Sequence, residues 1–204
     1  MGARHWPTAV TDGARRRWQS ARTLTELAAL TVDWLQGDIV EHAGQGGPPD
    51  PETAGITAAL VEINQRGLAT DHSQPGGAGP NWAQRAHVSG YCQEDIASRI
   101  VDVGVASDLV VLATEPELDE SLCVPITKVD GAPVTVTGHL SRDDPGMDVS
   151  APMRAELAAA WHVHVLDPVW GREGLLWPTL LDGLRAGPFS ERSPRLIGGD
   201  LGWD

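Results

Sequence analysis

Two hydroxyl side chains three residues apart, Thr70 and Ser73, stand in L-A-T-D-H-S-Q-P-G, where a short strand pattern meets a polar turn. Hydroxyls both donate and accept hydrogen bonds, and strand ends often carry small-molecule sites, so this pair is the first candidate for ligand binding. A second candidate is His162-Val-His164, because strand alternation puts both histidines on one face, close enough to share a metal ion. No third ligand is evident near them in the chain, so surface or packing histidines are expected, and no metal. A third is the carboxylate-rich loop of Glu115, Glu117, Asp119 and Glu120. It lacks the D-x-[DN]-x-[DN]-G pattern of a calcium hand and reads as a solvated acidic loop. The glycine-rich run from Pro75 to Pro80 lacks the Lys and Ser/Thr of a P-loop and reads as an ordinary loop. No nucleophile motif is legible: there is no G-x-S-x-G and no G-x-G-x-x-G, and the seven histidines are scattered. Cys92 and Cys123 have no C-x-x-C spacing and are expected as separate, reduced core thiols.

The helix before Thr70 carries Ile56, Leu60 and Ile63 at i, i+4 and i+7, one buried stripe, and Gly67 is where it should stop. Its start is expected near Asp50-Pro51-Glu52-Thr53, with Asp50 as N-cap, Pro51 at the first position and Glu52 favoured by the helix dipole. Leu68 to His72 then forms a brief strand, which Ser73-Gln74-Pro75-Gly76-Gly77 breaks. Upstream, residues 1–17 read as a loose arm. Thr23-x-x-Glu26 is a capping box that opens a helix ending at Gly37, and residues 42–50 read as a flexible loop. Downstream, the patterns predict a helix from Trp82 to Val101 bent near Gly90, and strands over 108–114, 123–127 and 133–139. A turn over Arg142–Gly146, a helix over 152–161, a strand over 162–167 and a helix over 175–184 follow, with a loose tail over 188–204.

The spacing N-x-x-G-x-x-T-x-x-S-Q-P, from Asn64 to Pro75 after an amphipathic helix, resembles the C-terminal regulatory domain of eukaryotic methylenetetrahydrofolate reductase. The likeness extends to Glu52-Thr53 at the start of that helix, to Gln84 and Ala86, to Trp18 and the W-L-Q-G-D run from Trp34, and to Thr114 and Thr127, thirteen residues apart. With V-L-D-P-V-W-G-R-E-G-L-L-W from Val165, it covers roughly Trp18 to Leu184 in the same order. The resemblance implies a mixed α+β single domain over 18–187, with short mixed sheets flanked by about five helices. It also implies a site for S-adenosylmethionine or S-adenosylhomocysteine made by Glu52, Thr53, Thr70, Ser73, Thr114 and Thr127. Small hydroxyl groups and one carboxylate suit the ribose hydroxyls, ammonium and adenine edge of such a ligand. The reductase's flavin- and folate-binding barrel is absent, so neither flavin nor reductase activity is implied. A stand-alone sensor or regulatory protein is expected, acting through a protein partner or a homo-oligomer. The alternative is an enzyme that transfers from, cyclises or cleaves the sulfonium in the same pocket.

The chain has 204 residues, 41% of them hydrophobic, enough to bury a substantial single core. Its net charge is −13, and Arg15-Arg16-Arg17 is the one basic cluster, so nucleic-acid binding is not expected. An acidic field modestly favours a cationic ligand. No run of 18 apolar residues occurs and the N-terminus lacks a signal-peptide pattern, so a cytoplasmic location without membrane contact is expected.

Overall fold

The helix and strand that carry the N-x-x-G-x-x-T spacing are tied together by one side chain. In the computed structural model, which describes residues 11–44, 46–138 and 147–186, Asn64 caps its own helix by donating to Leu60 O (2.9 Å). It also donates to Thr70 Oγ1 (2.8 Å) and accepts from the Thr70 backbone N–H (3.0 Å). Gly67 makes the reversal between them with φ of 100°, a conformation that side chains with a Cβ rarely adopt.

In chain order, α1 is Asp12–Trp18, α2 Leu24–Gln36 and α3 Thr57–Gln65. β1 is Ala69–Ala78, β2 Trp82–Cys92 and α4 Glu94–Val105. β3 is Val110–Thr114, β4 Val124–Val129 and β5 Ala132–Thr137. α5 is Ala151–Ala158, β6 Trp161–Leu166 and α6 Leu176–Arg185. The chain is a mixed α+β single domain, with six α-helices and one curled antiparallel sheet of six strands among the described residues. The capping box of α2 is present on both sides, with Gly37 as its C-cap.

β2 is the spine of the sheet. One edge pairs with β1 along its length. The other edge is shared, with β4 taking residues 82–84 and β6 taking 87–92. β5 extends β4 and β3 extends β6. Because two strands leave one edge of β2, the sheet curls until Thr137 at the end of β5 lies 2.9 Å from His164 on β6. Successive side chains on a strand face opposite ways. Val88, Val163 and Val165 thus join Leu60, Ile63, Ile100 and Leu180 in the apolar core on the helical side. His87, Ser89, His162 and His164, the residues between and beside those valines, are buried on the inner face of the curl.

Several expectations are corrected. Residues 12–17, expected in a loose arm, instead belong to α1. Thr11 accepts from Ala14 N–H to cap α1, and Trp18 is fully buried with its indole N–H on Glu41 O at 2.8 Å, an anchor that a run without apolar periodicity conceals. Pro51–Gly55 is a 3-10 turn, and α3 starts only at Thr57. β1 does not break at Ser73 but runs on to Ala78, because β2 lies beside it and takes its backbone groups as far as Ala83. Residues 82–92 form β2 rather than a helix. Strand pairing on both edges overrides a pattern that helix periodicity also fits, and the helix begins only at Glu94. The loop after α2 is pinned, with His42 and Ala43 buried and the Trp34 indole N–H on Gly47 O at 2.9 Å. Cys92 is buried as expected, whereas Cys123 is exposed. The Arg142–Gly146 turn, His139, the 188–204 tail and residues 1–10 of the arm lie outside the described residues.

Gly90 sits opposite Thr70 in the β1–β2 pair. A Cβ there would lie 2.4 Å from Ala69 O and 2.8 Å from Thr70 Cα, both backbone atoms with no side-chain freedom to yield. Gly90→Ala is expected to cost about 1–3 kcal/mol, the usual range for overpacking. Urea denaturation reads the effect, and an unchanged midpoint would mean that β1 can shift without cost.

Candidate functional site

Two polar regions meet at Asp71. The first is a cleft of about 120 Å³ between the 3-10 turn, α2 and β1. Its lining includes Glu52, Thr53, Thr70 and Ser73, four of the six residues expected at a ligand site, together with Asp71 and His42. Thr70 is held by Asn64 as described. Its Oγ1 accepts from the amide, which leaves the hydroxyl proton available to the cleft. Glu52 stands exposed on the rim and Thr53 is half-buried beside it. Thr114 is not in this cleft but lines a second cavity, and Thr127 pairs with Gln84 on β2 and lines neither. The chain connects them indirectly. Thr114 is the register partner of His162, which contacts Asp71, and Gln84 hydrogen-bonds Gln74 of the cleft wall.

Among the described residues no Lys or Arg lines the cleft, while Asp50, Glu52 and Asp71 do. Burial pushes the His42 imidazole down to about 4 against the pull of Asp71, and burial likewise lowers His72. Both histidines are therefore neutral near pH 7, and the cleft presents carboxylates and hydroxyls.

The second region is a buried network on the inner face of the sheet. His162 faces Glu120 Oε1 through Nδ1 at 2.7 Å and Asp71 Oδ2 through Nε2 at 3.0 Å. Carboxylates only accept, so both ring nitrogens of His162 must donate when both acids are ionised. Burial opposes the imidazolium, but Asp71 and Glu120 outweigh it and hold His162 up at about 9. Burial also opposes ionisation of Asp71 and Glu120. His162 with the Ser89 hydroxyl, and His162 with His164, nevertheless hold these acids well below the usual carboxylate range. His164 Nε2 lies 2.8 Å from Glu120 Oε2, and its Nδ1 lies 2.9 Å from Thr137 Oγ1 and 3.3 Å from His87 Nε2. Burial, then His72 and His164, drive His87 well below the ordinary histidine value, and its Nδ1 is without a hydrogen-bond partner among the described residues.

Strand alternation correctly puts His162 and His164 on one face. What the sequence conceals is their third partner. Glu120 belongs to the loop expected to be solvated, yet it is buried, 42 residues from His162 in the chain and brought back by the β3–β6 pairing. Asp71 reaches the network because a bulge between Thr70 and His72 inserts it into β1, and the Ser89 hydroxyl donates to it at 2.6 Å. The alternation His87-Val-Ser89 matches that of His162-Val-His164 and is the one local sign that β2 and β6 share a polar face.

No helix among the described residues is long and apolar enough to cross a membrane. No curated protein matches the chain. Residues 13–187, from the second residue of α1 to just beyond α6, match the profile of a family described as a domain of unknown function (DUF6919), and the chain belongs to that family.

Proposed function

We propose that this domain binds S-adenosylmethionine or S-adenosylhomocysteine in the cleft between the 3-10 turn and β1, as a sensing module. The observation that carries this reading is the convergence of Glu52, Thr53, Thr70 and Ser73, residues spread over two elements, on a single cavity. Thr70 and Ser73 offer hydroxyls to ribose or amino-acid groups, and Glu52 at the rim suits an ammonium or two ribose hydroxyls. The excess of carboxylates over cations among the described lining residues favours the sulfonium over the neutral thioether. Coupling to a protein partner or a second copy of the chain belongs to the same proposal.

Isothermal calorimetry with both compounds tests it. Thr70→Val and Ser73→Ala are each expected to lose about 1–3 kcal/mol of binding, since each truncation leaves a desolvated ligand group unpaired, and the double variant loses more. Equal affinity of variant and wild type would remove the assignment. Mass analysis of incubated S-adenosylmethionine distinguishes sensing from chemistry. Protein-dependent methylthioadenosine, homoserine lactone or S-adenosylhomocysteine, lost in the same variant, would replace the sensor with an enzyme.

A further inference from the structure

Glu120, His162 and His164 are three side chains of metal-ligating type, all nearly excluded from water, and one ligand atom from each lies within 4.8 Å of the other two. They come from β6 and from the loop before β4, so the sheet, rather than one flexible segment, sets their spacing. We propose that these residues form a binding site for a divalent first-row transition ion, with His162 Nδ1, His164 Nε2 and the Glu120 carboxylate as ligands.

Four observations bear on it. First, two imidazoles and one carboxylate are the donor set found at open zinc and non-haem iron(II) sites, where three protein ligands leave positions for water or substrate. Second, the outer partners are in place. A ligating histidine normally gives its remaining ring nitrogen to a carboxylate, carbonyl or hydroxyl that fixes the ring. Here His162 Nε2 is held by Asp71 at 3.0 Å, and Asp71 by Ser89 at 2.6 Å, while His164 Nδ1 lies 2.9 Å from Thr137 Oγ1. Both rings thus turn one nitrogen toward Glu120 and the other toward a support.

Third, the site has an approach. Glu120 and His164 line a cavity of about 160 Å³ with Leu112, Thr114 and Leu122, on the far side of the network from the cleft that Asp71 lines. Two of the three ligands thus border that cavity. Fourth, a buried cluster of ionisable groups is a poor way to stabilise a sheet, because desolvation offsets most of the Coulombic gain and apolar side chains of similar volume do as well. A ligand role accounts for the burial of all three groups at one point.

The test uses the full chain, stripped with chelator and dialysed, then titrated with Zn²⁺ by calorimetry and with Co²⁺ by visible absorption. One ion per chain is expected, with cobalt d–d bands of a nitrogen- and oxygen-ligated site. Glu120→Gln and His164→Gln should abolish the bands. Thr137→Val, which touches only a supporting contact, should weaken Zn²⁺ binding by roughly 10–100-fold. Far-UV circular dichroism checks that each variant folds. Should a variant not fold, nitrogen-15 NMR of the histidine rings in the wild-type protein decides, because Zn²⁺ should shift one nitrogen each of His162 and His164. Failure of folded wild-type chain to take up Zn²⁺, Co²⁺ or Mn²⁺ would overturn the site, as would uptake that leaves these two rings unshifted or survives the ligand substitutions. Thr70→Val/Ser73→Ala should leave metal uptake intact, which separates this outcome from failure of the adenosyl cleft.

Discussion

Asp71→Ala is expected to destabilise the domain by about 3–5 kcal/mol, the range for removing one partner from a buried ion pair. Asp71 is 17% exposed in its side chain and faces His162, which is 2% exposed. Its two oxygens are both used, one accepting from Ser89 and the other from His162. Alanine would leave the Ser89 hydroxyl and one ring nitrogen of His162 buried without these acceptors, and it would leave the extra residue of the β1 bulge with nothing to hold it on the inner face. Asp71→Asn keeps a carbonyl oxygen for Ser89 and should fall between alanine and wild type. Urea denaturation at neutral pH measures the series. A loss under about 1 kcal/mol for alanine, the size of an exposed ion pair, would mean that water enters and that the network is not part of the folded core. Because Asp71 also lines the cleft proposed to bind the adenosyl ligand, any ligand affinity should fall with stability in alanine.

The second large effect is one of acidity. His42 is buried against the rings of Trp18 and Trp34, with centroids 4.9 and 4.6 Å away, and its Nδ1 accepts from Gly44 N–H at 3.1 Å. A nitrogen that accepts that bond cannot hold a proton, so protonation would break the contact and charge a ring among apolar neighbours. Its folded value of about 4 lies below the ordinary 6.5. As pH falls through that window the unfolded chain binds the proton and the folded chain does not, so stability present above about pH 6.5 is lost progressively down to about pH 4. The span between the two values corresponds to about 3 kcal/mol from this residue. Denaturation midpoints from pH 7 to 4 should fall accordingly, and His42→Gln should flatten that part of the slope. A slope unchanged by His42→Gln would show that the imidazole protonates equally well folded.

Local chemistry was legible in the residues themselves. The Thr23–Glu26 capping box, the stops at Gly37 and Gly67, the β6 alternation that pairs His162 with His164, and the closing helix involve partners within a few positions, and each appears as expected. The resemblance groups Glu52, Thr53, Thr70, Ser73, Thr114 and Thr127; the first four line one cleft, Thr114 lines another cavity and Thr127 lines neither. What the tertiary structure decided is whatever depends on strand register. Trp82 to Cys92 fits a helical pattern until pairing with β1, β4 and β6 makes it the spine of the sheet. Glu120 reads as one more solvated carboxylate until the curl closes over it, and Asp71 is an ordinary polar residue until a bulge turns it inward. His162 meets Glu120 across 42 residues of chain and Asp71 across 91. A helix cap is written within four residues because its hydrogen bonds close short rings, whereas a buried cluster across strands depends on pairings whose register no single strand contains.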